Sequence, residues 1–175
     1  GVQWVEIATN SGNLMVACCY LPPKHVKEDD WFELLESEII QAQKKGAVIV
    51  GGDFNARVRE AADFPPATCQ GEPHGLVCMA SNTARKSVDK GVSVDERARR
   101  LLRMCVATDM RVGNGRLLGD VPAAVTSVGH GGGVNRAAST SVVDLFLLCP
   151  RAIQMATQLQ VQPARLGGSD HNSVT

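Results

Sequence analysis

The feature that most constrains the fold is a strand–helix–strand pattern between Leu14 and Gly52. "LMVACCYL" and "AVIVGG" are short apolar runs of the kind that form buried strands. Between them, "KEDDWFELLESEIIQAQKKG" carries acids early and two lysines late, which suits the helix dipole. Its apolar residues repeat at helical spacing and predict a core-facing stripe of Phe32, Leu35, Ile39 and Ala42. This order of elements favours an α/β fold or a layered α+β sandwich.

A second strand pair precedes the helix. "VQWVEIATN" alternates between two faces, and "SGN" separates it from "LMVACCYL". Two such runs split by a turn predict a β-hairpin. Because its second strand is almost entirely apolar, we expect that strand to be buried on both faces and central in the sheet.

The rest of the chain predicts one more helix and several shorter strands. From Arg57 to about Ser93, prolines and glycines break any period, which is typical of a long functional or mobile loop. Ser93, with Glu96 three residues later, is the expected N-cap of the second helix. "SVVDLFLLC" and "IQMATQLQVQ" predict two further strands. The expected core stripe of the second helix is Ala98, Leu101, Leu102, Cys105 and Val106.

Composition narrows the class of protein. Lys and Arg together number 18, as do Asp and Glu, so the formal net charge is zero. This balance argues against a protein whose whole surface grips nucleic acid, although a local basic rim remains compatible with it. No apolar run approaches the roughly 20 residues of a membrane span. The six cysteines form no CxxC pair, so we expect no zinc site and interpret most of the cysteines as core residues of a reduced, intracellular protein.

Three carboxylates occur at or beside apolar strands: Asp53 after "VIVGG", Asp144 within "SVVDLFLL" and Asp170 after "GGS". Each alone could be a turn or capping residue. A carboxylate next to so much apolar sequence is costly unless it is paired or bound to a cation. His171 adds an imidazole that titrates near neutral pH. Oxygen donors without a cysteine or histidine cluster suit Mg²⁺ or Mn²⁺, so these residues indicate metal-assisted chemistry on a phosphate.

Three motifs, "GGDFNAR", "SVVDLFL" and "SDHNSV", resemble in this order the endonuclease/exonuclease/phosphatase superfamily, which has the DNase-I-like fold. "NGRLLGD", followed by a Thr-Ser pair and then "SVVDLFL", is similar to the endonuclease domains of LINE-type retrotransposons. The resemblance covers nearly all 175 residues. It implies an α+β protein with a DNase-I-like four-layer α/β sandwich, and a single partial domain over residues 1–175.

The resemblance also implies a role for each motif residue. Asp53 would orient or deprotonate the attacking water, and Asn55 would hydrogen-bond the scissile phosphate. Tyr20, at the end of the second strand, would contact the phosphate and stabilise charge as it builds in the transition state. His171 would bind a phosphate oxygen as an imidazolium, with Asp144 orienting it and raising its pKa.

The resemblance places Asp170 at a site for Mg²⁺ or Mn²⁺. The family has an earlier strand ending in an Asn and another ending in the Glu that is its main metal ligand, and neither has a counterpart in this sequence. We therefore expect an incomplete sandwich without its N-terminal strands, either truncated or decayed, that binds metal weakly. Smaller departures are Asp95 and Ala98, where retrotransposon relatives often have Asn and Gly, and Leu145 in place of an aromatic residue.

The function implied by the resemblance is divalent-metal-dependent phosphodiester hydrolysis by a DNA endonuclease of retroelement origin. The implied setting is intracellular and nuclear, with DNA as partner and a reverse transcriptase domain as a possible neighbour in the parent polypeptide. Two alternatives stay open, a phosphatase of the same fold and a catalytically inactive remnant. Five basic residues of the long loop could approach DNA, or could be ordinary charges of a solvated loop: Arg57, Arg59, Arg85, Lys86 and Lys90.

Overall fold

The computed structural model describes residues 1–23, 31–65, 83–91, 93–129, 139–162 and 169–175. The strands are β1 (Val2–Thr9), β2 (Gly12–Tyr20), β3 (Gly46–Asp53), β4 (Arg111–Val112), β5 (Ser127–Gly129), β6 (Ser139–Ser141), β7 (Asp144–Leu148), β8 (Val161–Gln162) and β9 (Ser173–Val174). The helices are α1 (Trp31–Gln43), α2 (Glu96–Ala107) and α3 (Pro150–Met155). Five strands form a central mixed sheet in the order β1-β2-β3-β7-β4, and β5-β6 and β8-β9 form two small antiparallel sheets.

The predicted hairpin and the strand–helix–strand unit are both confirmed. β1 pairs antiparallel with β2, and β2 pairs parallel with β3 after the chain has passed through α1. β2 therefore lies inside the sheet, as expected. Its predicted burial on both faces is wrong, because Ala17 and Cys19 are buried in the core whereas Cys18, on the opposite face, is exposed beside an open cavity.

The two longer helices pack apolar stripes into the core. All four residues of the predicted stripe of α1 are buried, and they share one hydrophobic cluster with β2 and β3. In α2 the N-cap is Asp95 and not Ser93, because the Asp95 carboxylate accepts a hydrogen bond from the Ala98 N–H at 2.8 Å. Val106 does not belong to the core stripe: it is 40% exposed, and Met104 is buried in its place.

Two predicted strands differ in the structure. The run "SVVDLFLLC" divides at residues 142–143 into β6 and β7, so that Asp144 begins a strand and does not interrupt one. The first part of "IQMATQLQVQ" belongs to the short helix α3, which begins with Pro150. The Cys149 sulfur caps this helix by accepting from the Ala152 N–H. Cys19, Cys105 and Cys149 are buried, as expected, whereas Cys69 and Cys78 lie outside the described residues.

A buried ion pair anchors the loop that follows β3. Asp63 is fully buried and accepts two hydrogen bonds from Arg116, at 2.8 and 2.9 Å. Burial raises the pKa of the Asp63 carboxyl, but the hydrogen bonds and charge of Arg116 outweigh this effect and hold the pKa below its ordinary value. The pair fixes the loop against the end of β4.

Within the described ranges, no helix is long and apolar enough to cross a membrane.

Candidate active site

Three strands bring three candidate residues side by side at one end of the sheet. Tyr20 is the backbone partner of Asp53 in the parallel β2–β3 pair, and Asp53 is the partner of Asp144 in the antiparallel β3–β7 pair. Cross-strand partners point to the same face of a sheet, so Tyr20, Asp53 and Asp144 form a row on one face.

Two glycines allow the strand that carries Asp53 to fit at this point. Gly52 has a φ of +147°, a conformation that L side chains rarely adopt, and a Cβ there would overlap the carbonyl oxygen of Cys19 on β2. At Gly51 a Cβ would lie 3.0 Å from the ring of Phe146, which occupies that space. Asp53 is the last residue of β3, as its position after "VIVGG" predicts.

Asp53 and Asn55 form a tight turn. Asn55 has a φ of +48°, and its backbone N–H donates to Asp53 Oδ1 at 2.8 Å. The Asn55 amide nitrogen donates to Asp53 Oδ2 and to the Leu21 carbonyl, both at 2.9 Å. Burial raises the pKa of the Asp53 carboxyl above its ordinary value, and the charge of Asp144 acts in the same direction. The Asn55 N–H acts against this rise by stabilising the carboxylate.

Asp144 and His171 form a hydrogen-bonded pair. Nδ1 of His171 lies 2.8 Å and 3.0 Å from the two carboxylate oxygens of Asp144. Partial burial lowers the pKa of the imidazole, but the hydrogen bond to Asp144 and the charges of Asp144, Asp53 and Asp170 outweigh it, so the pKa is raised above 6.5. The Asp144 carboxylate therefore favours the protonated imidazolium over the neutral ring, and Nε2 is directed away from Asp144.

Thr126, which is fully buried, connects the strand of Asp144 to the segment of His171. Its hydroxyl oxygen accepts hydrogen bonds from the N–H groups of Val143 and Asp144, both at 3.0 Å. Its carbonyl accepts from the N–H of Asn172 at 2.7 Å. Sequence reasoning noted a Thr-Ser pair here but assigned it no role.

Asn114, the first residue of the motif "NGRLLGD", is a second buried support, to which the sequence analysis assigned no role. Its side-chain oxygen accepts from the Phe146 N–H at 2.9 Å, and its amide nitrogen donates to the Asp144 carbonyl at 3.3 Å. It therefore continues the hydrogen bonding along β7 beyond the two residues of β4.

The structure brings together all six residues that the sequence predicted for the site. Asp170 completes the group, with Oδ1 at 3.8 Å from Nε2 of His171. The roles expected of these residues stay predictions. Among the described residues, no three His, Cys, Asp or Glu side chains are arranged to hold a metal ion, so the donors present do not form a complete metal site.

Most of the basic residues in the long loop have acidic neighbours. Arg57 and Arg59 lie at 3.5 and 3.7 Å from Asp89. Lys90 lies at 2.6 Å from Glu60, and the buried Arg85 at 3.7 Å from Asp63. Lys86 is exposed. Three acidic residues thus face five basic ones, so these pairs offset part of the positive charge of the described loop.

Comparison with solved structures identifies the fold. The endonuclease domain of TRAS1, a telomere-specific non-LTR retrotransposon, is similar with a TM-score of 0.62 and 19% identity, over 99% of this chain and 61% of that one. A 3'-5' exonuclease (NExo) from Neisseria meningitidis gives 0.57 and 15% identity, over 98% and 62%. An endonuclease/exonuclease/phosphatase family protein from Leptotrichia buccalis gives 0.53 and 10% identity, over 99% and 52%.

This chain thus spans less than two thirds of the length of these three proteins. No protein-family model and no curated protein matches its sequence. At these identities the likeness concerns the three-dimensional arrangement, which agrees with the expectation from the motifs. The chain has the DNase-I-like fold of the endonuclease/exonuclease/phosphatase proteins.

Proposed function

We propose that this chain hydrolyses phosphodiester bonds in DNA, as an endonuclease of retroelement origin. The observation that carries the proposal is the His171 imidazole held by Asp144 beside the Asp53 carboxylate. A cationic donor and a carboxylate at one sheet end suit attack of water on a phosphate, because the imidazolium offsets the negative charge that develops. The fold, shared with a retrotransposon endonuclease domain and an exonuclease, supports this class of chemistry.

Each side chain has a role in this proposal. Asp53 orients the attacking water or accepts its proton, and its raised pKa makes it a better proton acceptor. Nδ1 of His171 is engaged by Asp144, so Nε2 donates to a phosphate oxygen. Tyr20 is 54% exposed at the adjacent strand end and can contact the same phosphate. Both amide protons of Asn55 are donated within the protein, so its contact with a phosphate requires one of those bonds to break.

A divalent cation is part of the proposal. Asp170 is exposed and can ligate Mg²⁺ or Mn²⁺, and Mg²⁺ commonly takes one or two carboxylates together with waters and substrate phosphate. When bound, the ion would supply Lewis-acid stabilisation of the phosphate charge. Since the described residues do not contain a complete ligand cluster, we expect binding to be weak without substrate.

Cleavage of supercoiled plasmid by the purified chain, in Mg²⁺ and in Mn²⁺, tests the proposal. We expect conversion to the nicked form, slowed about 100-fold or more by Asp53→Asn, because a neutral amide cannot accept the proton. Asp109→Asn is the matched control. Asp109 pairs with Arg111, is exposed, and has a φ of +54°, which asparagine tolerates, so activity should be unchanged. No cleavage with either ion, or equal cleavage by Asp53→Asn, would contradict the proposal.

A catalytically inactive relative is the second candidate, and the incomplete set of metal ligands among the described residues favours it. Such a protein would bind duplex DNA, with an affinity that falls as salt rises, and would not cut it. A phosphatase would instead hydrolyse an inositol phosphate and leave the plasmid intact. The plasmid, binding and inositol phosphate assays therefore separate the three functions.

A further inference from the structure

Arg97 occupies a position that is unfavourable for an arginine. It lies in the first turn of α2 and is only 3% exposed. A cation at a helix N-terminus opposes the helix dipole, and burial of a guanidinium is costly unless its donors are satisfied. By contrast, Arg99 and Arg103 of the same helix are exposed and pair with Glu96. Specific contacts must therefore hold Arg97 in place.

One contact of Arg97 leads directly to Asp53. Nε of Arg97 donates to the carbonyl of Phe54 at 3.0 Å. That carbonyl belongs to the same peptide group as the N–H of Asn55, which donates to Asp53 Oδ1 at 2.8 Å. The three groups form a continuous relay from guanidinium through peptide to carboxylate. Hydrogen bonds in such a chain polarise one another, and each is strengthened by roughly 10–30%.

Other contacts also fix the backbone on either side of the peptide group between Phe54 and Asn55. The N–H of Phe54, a fully buried residue, donates to the carbonyl of Val143 at 3.0 Å, next to Asp144. Asn55 has a left-handed backbone, which is uncommon outside glycine and persists only where surrounding contacts determine it. Arg97, 42 positions further along the chain, supplies one of those contacts.

We propose that Arg97 is a positioning residue for Asp53, which acts by holding the 54–55 peptide so that the Asn55 N–H faces the Asp53 carboxylate. The positive charge of Arg97 also acts against the rise that burial causes in the pKa of Asp53. This inference deepens the proposed function, and only its consequence for the rate of hydrolysis rests on that function. The relay itself can be tested without any activity.

Two substitutions of equal length separate the hydrogen bond from the charge. Arg97→Gln keeps an N–H donor at the ε position, whereas Arg97→Met places a methyl group there, and both remove the charge. Arg111→Met is the matched control, because Arg111 is also buried (2% exposed) and donates to the Met110 carbonyl at 3.0 Å, a group that does not belong to the relay. All variants are compared at a concentration where the chain is monomeric.

The primary measurement is the amide proton of Asn55 by NMR, with the core amide of Val50 as reference for global opening. In Arg97→Met we expect the Asn55 signal to move upfield and its hydrogen exchange to accelerate at least tenfold more than that of Val50. Arg97→Gln should retain most of the native shift, and Arg111→Met should leave it unchanged. An unchanged Asn55 signal in Arg97→Met, or an equal change in Arg111→Met, would overturn the inference.

A measurement on the unsubstituted protein covers the case in which Arg97→Met does not fold. We expect scalar coupling across the hydrogen bond, between ¹⁵Nε of Arg97 and the carbonyl carbon of Phe54. Its absence would overturn the inference.

The kinetic consequence is tested where plasmid cleavage is observed. Arg97→Met should lower kcat at least tenfold with KM changed by less than about twofold, and Arg97→Gln should retain most of the wild-type kcat. If the wild-type chain does not cleave, the proposed function fails while the NMR comparison still decides the role of Arg97.

Discussion

At the scale of single residues, the site depends on the protonation of His171. The Asp144 carboxylate accepts from Nδ1 at 2.8 Å and contributes most to raising the pKa of the imidazole. Asp144→Asn removes that charge, so we expect the pKa of His171 to fall. The measurement is the shift of the His171 Cε1 proton as a function of pH. Asp109→Asn should leave the titration unchanged, and an unaltered pKa in Asp144→Asn would contradict the pairing.

The same pair makes the stability of the fold depend on pH. Because the pKa of His171 in the folded state lies above its ordinary value of 6.5, its protonation stabilises the native protein. This contribution is fully present below pH 6.5 and is lost as the pH rises through the raised value. In urea titrations, the difference in free energy of unfolding between wild type and Asp144→Asn should therefore be largest below pH 6.5 and shrink at alkaline pH. A difference that is constant with pH would show that the pair is not charged.

At the scale of elements, Thr126 determines how β7 meets the His171 segment. Thr126→Val keeps the shape but removes the acceptor of two N–H groups, so we expect the free energy of unfolding to fall by at least about 2 kcal/mol. Thr126→Ser keeps the hydroxyl and should lose less than about 1.5 kcal/mol. Urea denaturation measures both.

Thr108 provides the matched control for Thr126. It is also buried, and its hydroxyl donates to the Met104 carbonyl, which accepts from the Thr108 N–H as well. Because Thr108→Val leaves that carbonyl satisfied, its cost should stay below about 1.5 kcal/mol. Equal losses in Thr108→Val and Thr126→Val would mean that the two acceptor bonds of Thr126 contribute little.

Local sequence patterns predicted some of these elements, whereas the contacts between distant residues could not be predicted from sequence. The stripe of α1 and the β1–β2 hairpin follow from spacing alone, and Asp53 follows from the end of an apolar run. Arg97 bonds a backbone group 43 positions away, and Thr126 bonds two groups that are 17 and 18 positions away. Such long-range bonds leave no periodic pattern in the sequence, so they could not be predicted from it. The helix α3 was missed because six residues are too few to show a helical repeat.

At the scale of the whole molecule, the two faces of the central sheet differ. One face packs in the core, where Ala17 and Val50 are buried. The opposite face borders a cavity of about 460 Å³, whose lining includes Asp144, Val16, Ile49 and Phe146. The three solved structures with this fold have longer chains, of which this one covers 52% to 62%. Within the described residues, part of this apolar face is open to solvent, since Cys18 on it is exposed.

The exposed strand β1 leads to a prediction about association. It is an outer strand of the sheet, on which Val5 is 59% and Ile7 44% exposed. Exposed apolar residues on an outer strand favour pairing with another molecule, and lysine at such positions opposes it. We expect the purified chain to self-associate with increasing concentration in sedimentation velocity, and Val5→Lys with Ile7→Lys to reduce this. Ile40→Lys, at a 40% exposed site on α1 and not on β1, should not reduce the association. A monomer at every concentration, or an equal effect of Ile40→Lys, would contradict association through β1.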